Sequence, residues 1–286
     1  MNINGSLDNM PLVSVIIGTY NRELLLKRCL DSIEKQTYKN IEIIIIDDYS
    51  SDNTSSMLKD FEKNSNRDVI VHTNFENKGI AYNSNKGFEL SSGRYIALIG
   101  DDDTWSSNTK IEQQVAAMEE APDLALVGTF WSDVKGGKVI ARHSPIVSQS
   151  PVCQILKRNG VYCGSSVLIR SEAWKSVGGF DEKLKKGTDS DLFRNLIVSG
   201  YKSKVLAIYT TEVFVDDHPR MTPTVSNAGL EKDILSHIRC LEKYKDAFRL
   251  CKKSRRIRKY ILLKRILRLV LKTKNPSKLS YLSRLL

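Results

Sequence analysis

None of the five cysteines in this 286-residue chain (Cys29, Cys153, Cys163, Cys240, Cys251) forms a Cys-x-x-Cys pair, and their number is odd. That speaks against a disulfide framework and a zinc site, and fits a reducing compartment. No uncharged apolar run reaches the roughly 18 residues that span a bilayer. Residues 1–11 lack the basic-then-apolar layout of a secretory signal. These absences point to a protein made and kept in the cytoplasm. There is no Gly-x-x-x-x-Gly-Lys loop, and the turn after the first apolar run has no Gly-x-Gly-x-x-Gly. A phosphate-loop ATPase or a dinucleotide dehydrogenase is thereby disfavoured. Acidic residues are missing from 251–286, which holds 13 of the 44 Lys and Arg. The remaining 250 residues carry 31 basic against 33 acidic side chains, so the net charge of +11 belongs to the tail alone. The main body has no reason to seek polyanions, and a nucleic-acid partner is not expected.

What is present is an ordinary globular composition, 41% hydrophobic and 27% charged, in a chain long enough for a large domain and an appendage. From Leu12 to Thr129, short apolar runs alternate with amphipathic segments. Leu12–Ile17, Ile41–Ile46, Val69–His72, Tyr95–Ile99 and Leu124–Thr129 read as strands. Glu23–Gln36, Asn53–Lys63, Ile80–Leu90 and Asn108–Glu120 read as helices. The almost continuous isoleucine of 41–46 suits a parallel strand covered on both faces. This rhythm predicts an α/β fold with an open, mostly parallel sheet flanked by helices, and ligands at the carboxyl ends of its strands. After Thr129 the pattern reads as glycine-, proline- and polar-rich loops up to about Asp217. From Ala228 the chain turns helical and then basic, which suggests a domain over 1–227 and a helical extension over 228–286.

Three strands end in polar clusters: Gly18-Thr19-Tyr20-Asn21-Arg22, Asp47-Asp48-Tyr49-Ser50-Ser51-Asp52 and Gly100-Asp101-Asp102-Asp103. The first two could be solvated turns or helix caps. Three adjacent carboxylates repel one another, and at the mouth of a sheet a hard divalent cation such as Mg²⁺ or Mn²⁺ offsets that cost.

The ordered set VSVIIGTYNR, IIIIDDYSSDNT, GRYIALIGDDDTW, GSSVLIRSEAWKSVGGFDE and GTDSDLFRNL resembles family 2 glycosyltransferases of the GT-A fold over about Pro11–His218. The resemblance implies an inverting enzyme that moves a sugar from a UDP-sugar donor to a saccharide or lipid-linked saccharide, with Mn²⁺ or Mg²⁺ as cofactor. It implies a nucleotide-sugar set of Thr19, Tyr20, Asn21, Arg22, Asp48, Lys78, Asn85 and Asp101. In that set Tyr20 stacks on uracil, Asp48 accepts the ring N–H, and Asp101 meets the ribose. Asp102 and Asp103, with His218, would be metal ligands. Asp189 matches the family's general base, with Asp191 beside it as a second catalytic carboxylate. Two departures stand out: Gly100 sits where an aspartate is more frequent, and Ser84 where many members carry an arginine, with Lys78 or Lys86 as substitutes.

Each reading has a plainer counterpart. Asp189 and Asp191 could merely cap a helix over Leu192–Ser199. Trp105, Trp131 and Trp174 could line sugar faces, with core packing the better reading for at least two. In Tyr260–Lys272, Lys264, Arg268 and Lys272 recur every four residues. Leu262, Leu263, Ile266, Leu267, Leu269, Val270 and Leu271 fill the remaining arc. That pattern suits a helix lying on the inner face of the cell membrane, against the alternative of a helix packed on the catalytic domain. Two rival functions are a sugar-nucleotide pyrophosphorylase and a non-catalytic membrane- or nucleic-acid-binding protein. The first lacks its glycine-rich nucleotide loop, and the second leaves the aspartate clusters without a purpose.

Overall fold

The computed structural model describes residues 10–148, 151–157, 161–215 and 226–285. In chain order the elements are β1 (Val13–Thr19), α1 (Glu23–Glu34), β2 (Ile41–Asp47), α2 (Thr54–Asn64), β3 (Asp68–Thr73), α3 (Ile80–Leu90), β4 (Tyr95–Leu98), β5 (Thr104–Trp105) and α4 (Lys110–Glu120). There follow β6 (Leu124–Lys135), β7 (Lys138–His143), α5 (Pro151–Lys157), β8 (Leu168–Arg170), α6 (Ser171–Val177), α7 (Thr188–Val198) and β9 (Lys202–Phe214). Then come α8 (Asn227–Lys243), α9 (Lys245–Leu250) and α10 (Lys252–Thr273), followed by a 3₁₀ segment over Pro276–Leu285.

One sheet runs in the order β3-β2-β1-β4-β8-β6-β9-β5, with β7 paired to β6. The half built from β3, β2, β1 and β4 is parallel throughout. Its strands carry the β-branched runs, and the core explains why. Ile41, Ile43 and Ile45 face one apolar layer with Leu26, Leu30 and Ile33 of α1 and Met118 of α4. Ile44 and Ile46 face the opposite layer with Trp174 of α6 and Leu192, Phe193 and Leu196 of α7. A strand covered on both sides needs an apolar residue at every position, and each such isoleucine stabilises by roughly 1.5–3 kcal/mol.

Among the described residues, the stretch read as loops after Thr129 holds strands and helices instead. β6 continues to Lys135, turns at Gly136-Gly137 and returns as β7. Both glycines hold positive φ, +55 and +73, which an L side chain resists. β8 runs antiparallel between β4 and β6, and β9 runs parallel to β6. β9 escaped the sequence reading because its Lys, Ser and Thr positions dilute the apolar signal, and its side chains are mostly half-buried or exposed.

Cysteine spacing misled in the same region. Cys153 on α5 and Cys251 at the start of α10 form a disulfide. They lie 98 residues apart in sequence, and only the packing of the C-terminal helices onto α5 brings them together. In that packing Ser254 Oγ donates to the carbonyl of Cys153 (2.7 Å), and Arg258 donates to the carbonyl of Leu156 through Nε (3.0 Å) and Nη2 (2.9 Å). Leu262, Ile266 and Leu269 of α10 are buried against Leu230, Ile234 and Ile238 of α8. The wide apolar arc expected of this helix is therefore divided. Leu263, Leu267 and Leu271 stay exposed, at 36%, 46% and 78%. Among the described residues no helix is long and apolar enough to cross a membrane.

Candidate active site

Register places the clusters. β1 pairs with β2 from Val13–Ile41 to Thr19–Asp47, and with β4 from Val13–Tyr95 to Ile16–Leu98. All three strands finish at one edge, on either side of the point where the strand order reverses, which is where a crevice opens. Asp101 lies here, fully buried. Its carboxylate accepts from Thr19 Oγ1 (2.9 Å) and from Arg22 Nη1 (2.8 Å). The same Nη1 reaches Asp102 Oδ2 at 2.9 Å. Burial lifts the Asp101 pKa to about 6, and the Arg22 guanidinium limits the rise.

Asp103 is buried too, and burial reinforced by the neighbouring Asp102 charge lifts it to about 8. Ser165, in the short 3₁₀ turn Gly164–Ser166 that leads into β8, donates its hydroxyl to Asp103 and accepts from the backbone N–H of Gly100 (3.0 Å). Trp105 Nε1 donates to the Ser165 carbonyl (2.8 Å), so the turn is fixed from behind. From α1, Arg28 donates to the Asp102 carbonyl (2.7 Å) while its guanidinium stacks 3.5 Å from the centre of the Phe214 ring. Sequence reasoning missed Ser165 and Arg28 as supports. Ser165 lay inside a quoted motif, whereas nothing in the spacing of Arg28 marked it.

Gly100 explains the shift of the aspartates. A Cβ there would lie 3.0 Å from Asp102 Oδ1 and 3.2 Å from Asp103 Oδ2, so both carboxylates lean into the space that a side chain at 100 would take. No group of three His, Cys, Asp or Glu side chains gathers as a ready-made metal cage among the described residues. Two carboxylate oxygens over one glycine nevertheless match what Mg²⁺ or Mn²⁺ takes from protein, the remainder being phosphate oxygens and water. The residues present fit a divalent ion. His218 lies outside the described residues.

Asp189 opens α7. Its carboxylate is raised above the usual carboxylate range by burial, offset in part by its bond from the Ser190 N–H (2.6 Å). Arg22, Asp102, Asp103, Ser165, Asp189 and Phe180 line one cleft of ≈ 320 Å³. A second cleft of ≈ 610 Å³ holds Tyr20, Asp48, Lys78, Lys185 and Lys232, and Ile80 walls both. Tyr20 is 38% exposed there. Asp48 is nearly buried and accepts from Asn74 Nδ2 and from the backbone N–H groups of Lys78 and Gly79, each at 2.8 Å, which fixes the entry to α3. The Lys78 ammonium pairs with Glu76 at the surface. Asn21 joins two strand-end loops, its Oδ1 accepting from the Ser51 N–H at 2.7 Å.

Two sites expected from sequence are spent elsewhere. Asn85 Oδ1 accepts from the Phe180 N–H (2.8 Å), and its Nδ2 donates to the Phe180 carbonyl (3.0 Å) and to Glu182 (2.8 Å). The amide is a staple between α3 and the 179–182 loop, and it does not line either cleft. Asp191 is buried and turned towards α8. It accepts from Tyr244 Oη (3.0 Å), Lys243 Nζ (2.6 Å) and Arg194 Nη1 (3.2 Å). Its partners are two cations and a tyrosine hydroxyl of the fold, and it lines a separate pocket of ≈ 230 Å³ that also has Asp189 in its wall, instead of the cleft. The tryptophans are core residues, with exposures of 3%, 8% and 1% for Trp105, Trp131 and Trp174.

Residues 14–178 match the family model of glycosyl transferase family 2. The chain belongs to that family. Among curated relatives of this glycosyltransferase is WfgD of Escherichia coli, a UDP-Glc:α-D-GlcNAc-diphosphoundecaprenol β-1,3-glucosyltransferase. It is 32% identical over 160 residues, which cover 56% of this chain and 61% of that protein. TarS 1–349 of S. aureus in complex with UDP-GlcNAc superposes with a TM-score of 0.68 at 19% identity, covering 89% of this chain and 72% of that one. The mannosyltransferase PcManGT from Pyrobaculum calidifontis, in complex with GDP-Man and Mn²⁺, gives 0.63 at 16% identity, covering 96% and 79%. The shared fold is the GT-A arrangement of curled sheet and flanking helices, with a helical C-terminus.

Proposed function

We propose that this glycosyltransferase moves a sugar from a UDP-sugar to a hydroxyl of a lipid-linked saccharide, with inversion at the anomeric carbon, during cell-surface polysaccharide synthesis. The observation that carries the reading is the common cleft of Arg22, Asp102, Asp103 and Asp189, joined through Ile80 to the cleft of Tyr20 and Asp48. A nucleoside diphosphate sugar fits that layout with its base in the larger space and its sugar in the smaller.

Tyr20 offers an aromatic face for uracil, and the immobilised Asp48 carboxylate an acceptor for its ring N–H. Thr19 and Arg22 hold the fully buried Asp101, which lines neither cleft, so its part is to position Arg22 at the cleft wall and not to meet the ribose. Asp102 and Asp103 would hold Mn²⁺ or Mg²⁺ over Gly100, and a bound ion there supplies Lewis acidity and orientation to the donor diphosphate. Asp189 takes the proton of the acceptor hydroxyl, a role worth ~10²–10⁴ in rate, and its raised pKa makes it a better base than an open carboxylate. Phe180 and Phe214 give the smaller cleft apolar wall against which a sugar face can pack.

The outer face of α10 supports work at the inner leaflet of the cell membrane. Exposed Tyr260, Leu263, Leu267 and Leu271 stand beside Arg256, Lys264, Arg268 and Lys272, and each cation near an anionic leaflet adds about 1 kcal/mol.

The test is a panel of UDP-sugars with Mn²⁺ and a diphosphate-lipid-linked saccharide, scored for UDP release with wild type, Asp102→Ala and Asp189→Ala. Both variants should lose activity by about 10²–10⁴. Undiminished turnover in Asp189→Ala would remove the assigned base.

A further inference from the structure

The Cys153–Cys251 disulfide has features that a purely structural bridge does not require. It borders a surface cleft of ≈ 560 Å³ that also carries Lys157, Lys252 and Lys253. Cys153 is partly exposed, while Cys251 is only 5% exposed and stands at the N-cap position of the 22-residue helix α10. Three ammonium groups and the positive end of a long helix favour the thiolate over the thiol, the condition for fast thiol–disulfide exchange. The remaining cysteines are free, and Cys29 and Cys240 are buried.

The bridge also joins elements that matter. α10 supplies Arg258, which bonds the Leu156 carbonyl of α5 and lies 3.1 Å from His237 Nδ1 of α8. Arg258 and His237 line the cavity that has Asp189 in its wall. α8 ends in Lys243, with Tyr244 next to it, and both hold Asp191 one turn along α7 from Asp189's end of the helix.

We propose that Cys153 and Cys251 are a reversible redox couple that clamps the C-terminal helices to α5 and tightens the wall behind Asp189. In the reduced protein the more open Cys153 thiolate attacks a low-molecular-weight disulfide of the glutathione type. An S–S bond forms to Cys153, and one small thiolate leaves. The Cys251 thiolate then attacks the Cys153 sulfur of this mixed disulfide, closing the protein bridge and releasing the second small thiolate. Two protein thiols are oxidised, one small disulfide is reduced to two thiols, and the two protons pass to these through solvent.

The full-length protein is equilibrated in glutathione buffers of graded potential, and each cysteine is quantified by differential alkylation and mass spectrometry. Cys153 and Cys251 should titrate together, with Cys29 and Cys240 unchanged. Reduced wild type should lose about 5 °C of thermal midpoint and be cut several-fold faster by protease within 226–285. Cys251→Ser should trap a glutathione adduct on Cys153. Cys153→Ser and Cys251→Ser should resemble reduced wild type in every buffer. Two results overturn the proposal: both thiols staying alkylatable under oxidising buffers, or a bond that resists all reducing ones. So does oxidised wild type with the melting and proteolysis of reduced wild type. These readouts do not depend on the glycosyltransferase reaction. A several-fold change in UDP release between the two forms is the one arm that rests on it.

Discussion

Asp189 Oδ2 lies 3.4 Å from where a Cβ on Gly164 would stand. The carboxylate proposed as the base and the turn that carries Ser165 are thus neighbours across the smaller cleft. A carboxylate whose pKa is raised loses its base form as pH falls through that raised value. The acid limb of kcat/KM for UDP release should therefore lie above the ordinary carboxylate range. Gly164→Ala adds a methyl against Asp189, strips water from it and should move that limb further up. A limb unchanged between wild type and variant would separate Asp189 from the proton transfer.

Arg22 is the cation between two acidic side chains, one of them fully buried. Arg22→Gln should cost about 2–4 kcal/mol of stability at pH 8. The loss should shrink by pH 5, where Asp101, at about 6 in the native protein and higher without the guanidinium, binds a proton. Millimolar Mn²⁺ should restore part of the loss at pH 8. Urea midpoints at both pH values, with and without the ion, decide this.

Asn85→Ala separates a staple from a nucleotide contact. Removing three hydrogen bonds to the 179–182 loop should cost about 1–3 kcal/mol, while UDP affinity measured by calorimetry should change less than threefold. A loss of UDP affinity with unchanged stability would return Asn85 to the donor site.

His237 supplies an acid sensitivity. Burial, with the Arg258 charge next in weight, depresses its pKa to about 2. Between that value and its unfolded 6.5 only the unfolded chain is protonated, so stability is full above 6.5 and drains as pH falls. From 6.5 to 5 the loss is about 2 kcal/mol. His237→Gln should flatten this slope in urea titrations.

For α10, deleting 255–286 would strip the apolar partners of Ile234 and Ile238, so surface substitutions are the cleaner probe. Replacing Leu263, Leu267 and Leu271 by serine should leave the thermal midpoint within about 2 °C. It should also release the protein from vesicles containing phosphatidylglycerol. Retained binding with an intact fold would place membrane contact elsewhere.

Where burial forces composition, the sequence was readable. Ile41–Ile46 announced a doubly covered strand, and the polar clusters following β1, β2 and β4 announced the crevice. Beyond the start of β6 the second half was not readable, because β8 and β9 take their places from partners distant in the chain. Motif position also said nothing of competition for a side chain. Asn85 and Asp191 occupy expected places, but neighbours consume their hydrogen-bonding capacity.

Asp191 carries one more implication, for anyone recombining family members. Besides Arg194 on its own helix, its counter-charge is Lys243 at the end of α8, and Asp181 takes Arg239 of the same helix at 2.5 Å. A chimera spliced near residue 226 would inherit acids from one parent and bases from the other. Such hybrids should express poorly unless positions 181, 191, 239 and 243 are transplanted as a matched set.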